Sequence, residues 1–366
     1  MFFSNDLFFS SNFSQHWKRR VLLALRNAMT LTHCHTIGGA DDVCTRLKGA
    51  IAFILVWGCG QFIGPLSPLL LALAVAKAPA WFTCLLIVAM GYAFVVPEES
   101  LYSPAWCRFV LSQAGWIKGG ANLWCTDDVL ALNDRINESV MVCFHPHGLI
   151  PQGFVLNAAV RTRSQDPVNV PPWLQFDKTA SGVQAPILFK IPILRHILLS
   201  FGCCVAATPA RMHTLMANKT TFGIIPGGSE ECAHHVTGEE RVFLQTRAGF
   251  IKYALRYGYC VVIAFSFGEG DMYRSLSLMR PLNLWLVKRF GFVLPVFCGC
   301  ALCPLLPRAD IELHTVFGKA LQMPRIDEPT RKDVEHHHAI YIAALRTLYD
   351  EHKEQFGYGE RELQIV

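Results

Sequence analysis

Between Ile51 and Pro97 the chain carries a single charged side chain, Lys77. That stretch constrains the fold more than any other feature, because so much uncharged surface must be buried in a core or placed in lipid. It divides at Ala76-Lys77-Ala78-Pro79. The first half, Ala50 to Val75, is long enough to span a hydrocarbon core at about 1.5 Å per residue, and the second, Trp81 to Val96, is near the lower limit. Lys77 and Pro79 must reach an interface or water, since a charge at mid-bilayer is costly. Two apolar segments joined by so short a turn form a hairpin with both flanks on one side. Lys18, Arg19, Arg20, Arg46 and Lys48 precede it, so the excess of positive charge assigns that side, and both termini, to the cytosol. Pro65 and Pro68 offer a kink that would turn the first segment into a wedge entering one leaflet. The competing reading, two buried helices of a soluble core, is disfavoured by the near absence of charge over both segments.

The rest of the chain is less apolar. Of the 366 residues, 52% are hydrophobic and 17% charged, with a mean hydropathy of +0.30; soluble domains carry about a quarter charged residues. The balance fits a short anchor joined to one large domain: residues 1–48 an N-terminal cytosolic segment, disordered or amphipathic; 49–97 the membrane hairpin; 98–366 a cytosol-facing domain. Phe2, Phe3, Phe8 and Phe9 ahead of the basic run suit a membrane surface, and no apolar stretch there ends in a signal-peptidase site. The net charge of +5 suits an anionic membrane face or anionic co-substrate, and no basic tract argues for nucleic acid. Of the 14 cysteines, only Cys300 and Cys303 have zinc-ligand spacing, with no second pair to answer them, so buried free thiols and no metal are expected.

Downstream of Glu98, short apolar runs read as buried strands: Ser139 to Phe144, Thr221 to Ile225, Tyr259 to Phe267 and Leu313 to Phe317. Helical patterns lie between and after them: Pro209 to Lys219, Gln245 to Tyr257 stopping at Gly258, and Arg331 to Phe356. The alternation predicts an α/β domain.

Three polar clusters follow apolar runs. Phe144-His145-Pro146-His147-Gly148 leaves a strand at the edge where α/β folds present working side chains. An imidazole there can take a proton from an alcohol. Pro146 stiffens the loop and Gly148 lets a substrate approach the backbone; only one of His145 and His147 is expected to face a given substrate. Ile225-Pro226-Gly227-Gly228-Ser229-Glu230-Glu231 offers amides for an oxyanion or phosphate at Gly227 and Gly228, and a carboxylate, Glu230 or Glu231, to orient a histidine. Arg247, Lys252 and Arg256 form a basic series in which Lys252 and Arg256 share a helix face suited to phosphates. Glu269, after Phe265-Ser266-Phe267-Gly268, would sit at the same edge as His145 and support it from behind. His336-His337-His338 falls on a helical pattern whose adjacent positions diverge, and is read as surface.

These residues, in this order, resemble the type-2 diacylglycerol acyltransferase family, which also includes monoacylglycerol and wax-alcohol acyltransferases. The resemblance runs from Tyr102 to the C-terminus. His145-Pro146-His147-Gly148 matches the family's HPHG signature, and Pro226-Gly227-Gly228-Ser229-Glu230 its glycine-rich loop. Arg247 to Leu255 is similar to a basic family helix, with Ala248 in place of a lysine, and Ser266 to Glu269 to the SFGE strand end. The resemblance implies a glycerolipid-acyltransferase-like α/β domain behind the membrane hairpin. It implies acyl-CoA as co-substrate with no permanently bound cofactor, and transfer to diacylglycerol or another neutral lipid alcohol at the endoplasmic reticulum membrane or lipid droplets. His145 is then the general base with His147 as helper or alternate, Glu230 their carboxylate, Gly227, Gly228 and Ser229 the oxyanion loop, and Arg247, Lys252 and Arg256 the acyl-CoA contacts. Oligomeric state stays open, a homo-oligomer included. Rival readings are a metal-dependent hydrolase using His145, His147 and His234 or His235, and a non-enzymatic lipid-droplet protein held by the hairpin.

Overall fold

The computed structural model describes residues 31–39, 42–95, 101–130, 139–159, 180–291, 293–294 and 296–366. The aromatic and basic residues expected to touch a membrane before residue 31 lie outside that set. In chain order the elements are β1 (Leu31–Ile37), α1 (Val43–Phe53), a π-helical segment (Ile54–Ile63), α2 (Gly64–Lys77), α3 (Ala80–Val95), α4 (Pro104–Leu111), β2 (Lys118–Thr126), β3 (Val140–His145), β4 (Ala180–Gln184) and α5 (Pro192–Ser200). There follow β5 (Cys204–Ala206), α6 (Pro209–Ala217), β6 (Thr221–Ile224), α7 (Gly228–His234), β7 (Glu240–Val242), α8 (Gly249–Tyr257), β8 (Cys260–Phe267), β9 (Arg274–Ser275), α9 (Arg280–Phe290), β10 (Phe297–Cys298), β11 (Glu312–Gln322), α10 (Arg331–His352) and β12 (Leu363–Ile365).

Eight strands form one sheet in the order β1-β2-β11-β8-β3-β6-β4-β5. β3 lies between β8 and β6, parallel to both, while β11 runs antiparallel to β8 and parallel to β2. The apolar runs of β3 and β8 are buried along their whole length because both faces of the sheet are covered. Side chains alternate: Val140, Val142 and Phe144 join the core on one face, Met141 and Cys143 the core on the other. The helix boundaries follow their local chemistry. Ser103 accepts the Trp106 amide at the start of α4, Thr330 and Asp333 form a reciprocal cap on α10, and Gly258, at φ +65°, ends α8.

Two expectations change. Residues 31–37, assigned above to a tail, pair antiparallel with β2 and form the edge of the main sheet. The hydrophobic hairpin exists as α2 and α3, but the helices have 14 and 16 residues, about 21 and 24 Å long against a hydrocarbon core of about 30 Å. Among the described residues no helix is long and apolar enough to cross a membrane. The root of the hairpin is part of the protein core, with Phe53, Val56 and Trp57 buried and the Trp57 indole donating to Gln113 at 2.6 Å. Beyond that root the apolar side chains face outward: Leu69, Leu73, Leu85, Val88 and Val95 are exposed, as is Lys77 at the turn. α3 leans on α5, where Tyr92 stacks on His196 and Arg195 lies over Phe94.

Candidate active site

The two histidines of the His-Pro-His-Gly turn go to opposite sides of the sheet. His145 is the last residue of β3 and follows Met141 and Cys143 onto the face covered by α10. It is fully buried, its Nε2 is 2.7 Å from the Tyr341 hydroxyl, and its Nδ1 has no partner. Burial lowers its pKa to about 3. Enclosed in this way, the His145 ring has no surface on the apolar cavity of the opposite face, where a general base would meet its substrate. The chain leaves the strand at Pro146, itself buried, and Gly148 at φ +59° completes the turn.

His147 thereby reaches the other face, where it lines a cavity of about 140 Å³. Its Nδ1 is 3.0 Å from the Gly148 carbonyl. A carbonyl only accepts, so Nδ1 carries the proton in the neutral ring, and Nε2, without a bond to any described residue, keeps its lone pair. Burial lowers the His147 pKa, with the Gly148 bond acting weakly the other way, so the ring is neutral and basic at Nε2 near pH 7. The cavity wall is otherwise mostly apolar: Val56 and Trp57 from the hairpin root, Phe154 and Val155, and Leu194, Ile197 and Leu198 of α5. Gly228, Ser229 and Cys232 of α7 complete it beside His147, with Gly291 and Val293.

The carboxylate that meets this turn is Glu231. Its Oε1 accepts the His147 amide at 2.5 Å and its Oε2 the Phe243 amide at 2.8 Å. Burial raises its pKa to about 7 against those two bonds. Glu230, preferred for this role from the sequence, points outward and pairs with Arg247. Adjacent positions on a helix differ by about 100°, which separates the two glutamates. Gly227 carries no Cβ where one would overlap the Glu231 carboxylate. The Gly228 amide donates to the Ile225 carbonyl at 3.1 Å and is not free for an oxyanion. Ser229 keeps a long hydroxyl contact of 3.4 Å to the Gly291 carbonyl. Glu269 lies at the expected strand edge, but it binds the amides of Gln152 and Gly153 at 2.8 and 2.6 Å and not a histidine; burial raises its pKa to about 8.

The basic series divides. Arg247 reaches the glycine loop through Glu230. Lys252 is exposed and Arg256 binds the Asp327 carbonyl, both on α8, whose buried residues belong to the core on the His145 side. Neither lines the cavity. Within the trio on α10, His338 is buried and only His336 is fully exposed. Among the described residues no group of three His, Cys, Asp or Glu side chains is close enough to hold a metal ion. Tyr341, Trp57 and the α5 wall were not singled out from the sequence. Tyr341 is 196 positions from its histidine partner, and Trp57 sits in an apolar run whose membrane reading hid its inward face.

The α/β domain thus presents a neutral histidine to a mostly apolar cavity, with an apolar hairpin beside it. The chain belongs to the diacylglycerol acyltransferase family, which matches it over residues 76–366. It is 33% identical over 227 residues to the human 2-acylglycerol O-acyltransferase 3, covering 58% of this chain and 64% of that protein. Human acyl-CoA wax alcohol acyltransferase 1 is 31% identical over 234 residues, covering 60% and 67%. Diacylglycerol O-acyltransferase 2 of Bos taurus is 32% identical over 237 residues, covering 61% and 63%. The chain thus spans about two thirds of the length of these relatives. The crystal structure of the 1-acyl-sn-glycerophosphate acyltransferase PlsC from Thermotoga maritima overlaps 82% of this chain and 96% of its own, at 13% identity and a TM-score of 0.27.

Proposed function

We propose that the protein is an acyl-CoA-dependent O-acyltransferase that esterifies diacylglycerol to triacylglycerol, with His147 as general base. The observation that carries the proposal is the protonated Nδ1 and free Nε2 of His147 on the wall of an apolar cavity. Family membership supports the reaction class, and the names of the relatives support a neutral lipid alcohol as acceptor. In the reaction, the acceptor hydroxyl gives its proton to His147 Nε2 as its oxygen attacks the thioester carbonyl. The Ser229 hydroxyl, released from its long contact with the Gly291 carbonyl, stabilises the oxyanion. The intermediate collapses by breaking the carbon–sulfur bond, and the imidazolium returns the proton to the departing CoA sulfur. Glu231 and Gly148 are positioning residues that hold the ring, while His145 with Tyr341 closes the back of the turn.

The exposed apolar faces of α2 and α3 sit in the endoplasmic reticulum membrane, entering it as a short wedge with the α/β domain on the cytosolic side; the same wedge suits the monolayer of a lipid droplet. Because Val56 and Trp57 belong both to the hairpin root and to the cavity wall, the acceptor arrives from the lipid side without crossing water.

The test is acyl transfer in membranes expressing the chain, with labelled acyl-CoA and a panel of diacylglycerol, monoacylglycerol and wax alcohol. Triacylglycerol from the parent, reduced about 10²–10⁴-fold in His147→Ala, is the expected result. A different preferred acceptor changes the substrate and keeps the chemistry. No ester from any acceptor by folded protein refutes the function, and full activity in His147→Ala refutes the base.

A further inference from the structure

The cavity beside His147 is mostly apolar and leaves the charged end of the donor unplaced. One end of α7 lines the cavity through Gly228 and Ser229; the other ends at His234, about 9 Å away at 1.5 Å per residue. There a cluster of cations gathers from two elements. Arg280, at the start of α9, donates from Nη2 to His234 Nδ1 at 3.4 Å. The His234 ring stacks on Phe243 with centroids 5.1 Å apart and planes at 11°, and the Arg247 guanidinium lies 5.8 Å from the same Phe243 ring. The positive charges of Arg280, Arg241 and Lys288 all bear on His234 and, after burial, hold its pKa down. Glu239 neutralises Arg241 and Glu230 neutralises Arg247. Arg280 and Lys288 have no carboxylate partner among the described residues. Packing α9 on α7 thus brings the half-buried Arg280 and the exposed Lys288 beside a neutral imidazole on which Glu230 is the one opposing charge, a net positive surface that attracts an anion.

We infer that Arg280 and Lys288, with the stacked His234–Phe243 pair, form the subsite for the phosphorylated nucleotide end of the acyl-CoA donor. The inference rests on the acyltransferase reading and deepens it. The spacing suits the ligand. A pantetheine arm, comparable to four or five extended residues, reaches about 15 Å, enough to run from the cradle along α7 to His147. Guanidinium and ammonium groups match phosphate oxygens, and a flat aromatic pair offers a stacking surface to a purine. The site lies on the cavity side of the sheet, whereas Lys252 and Arg256 lie on the other.

The test compares two thioesters of one acyl chain, acyl-CoA and acyl-pantetheine, the latter without phosphates, as donors to full-length protein in membranes. The ratio of their kcat/KM values does not depend on how much of each preparation is folded. In Arg280→Ala/Lys288→Ala the preference for acyl-CoA should fall about tenfold or more, through KM for acyl-CoA. A ratio equal to that of the parent overturns the inference, as does a fall in Lys252→Ala/Arg256→Ala in place of the α9 pair. If the parent transfers from neither donor, the acyltransferase reading fails and takes the subsite with it.

Discussion

Glu231→Gln separates a carboxylate that positions the catalytic turn from one that decorates a surface. Both Glu231 oxygens accept backbone amides, from His147 and Phe243. Glutamine keeps one carbonyl oxygen and turns an NH₂ toward the other donor, losing at low pH, where the acid is neutral, a bond worth about 0.5–1.5 kcal/mol. Against that loss stands the burial of the acid. The folded pKa is raised from 4.5 to about 7, so the unfolded chain ionises first as pH rises. The contribution is fully present below about pH 4.5 and is lost as pH rises through about 7, a change of about 3 kcal/mol. At pH 5 the variant should therefore be less stable than the parent by about 1 kcal/mol, and by pH 8 the gap should reverse. Glu240 and Glu269, whose pKa values are also raised, to about 7 and about 8, titrate in both proteins and cancel in the difference. Thermal unfolding of detergent-solubilised protein from pH 5 to 8 measures the gap. A gap that stays constant across that range would refute the argument. Turnover should fall about tenfold, since one of the two amide bonds that fix the turn around His147 is gone. Glu230→Gln removes only a half-exposed pair with Arg247 and should cost less than about 1 kcal/mol.

Gly227→Ala should abolish most activity and cost about 1–3 kcal/mol, because a methyl there overlaps the Glu231 carboxylate; Gly228→Ala, whose φ is +55° but whose surroundings are open, should cost about 1 kcal/mol. Melting and turnover of the two variants side by side check the contrast, and equal losses would contradict it. Tyr341→Phe leaves the His145 Nε2 buried and unbonded, so it should lower stability by about 1–3 kcal/mol and turnover by less than tenfold. Abolished turnover with an unchanged melting temperature would instead put the His145–Tyr341 pair in the chemistry.

The sheet was readable because β3 and β8 are buried on both faces and so appear as unbroken apolar runs between polar loops. Their positions, and those of α6, α8 and α10, fall within a few residues of where the pattern ends them. Strand β1 was not readable. Its sequence, Leu-Thr-His-Cys-His-Thr-Ile, is half polar and becomes a strand only by pairing with a segment about ninety positions away. The site was readable as a set of loops but not as a set of directions. Spacing places Lys252 and Arg256 on one helix face without saying which side of the sheet that helix covers. It likewise cannot rank His145 against His147, or Glu230 against Glu231, because each choice is made by a distant partner: Tyr341, the cavity wall, Phe243 and Arg247.

The cavity wall also bears on whether the acyl group passes through the protein. Besides His147, the proposed base, two side chains on it have nucleophilic atoms, Ser229 and Cys232. Burial, and then the neighbouring Glu231 charge, raises the Cys232 pKa to about 12, so it is a thiol and not a thiolate at neutral pH. Ser229 makes its bond to a carbonyl, Gly291, and no base lies in hydrogen-bond contact with its hydroxyl. An acyl-enzyme at either position lacks the activated nucleophile that such chemistry needs. With His147 as the proposed base, direct attack within a ternary complex is the route in which that one group serves both the arriving hydroxyl and the departing sulfur. Initial rates over a grid of acyl-CoA and acceptor concentrations should then give intersecting double-reciprocal lines, and a Cys232→Ser variant should keep that pattern. Parallel lines, together with labelled protein recovered after acyl-CoA alone, would show a covalent intermediate and overturn the direct route.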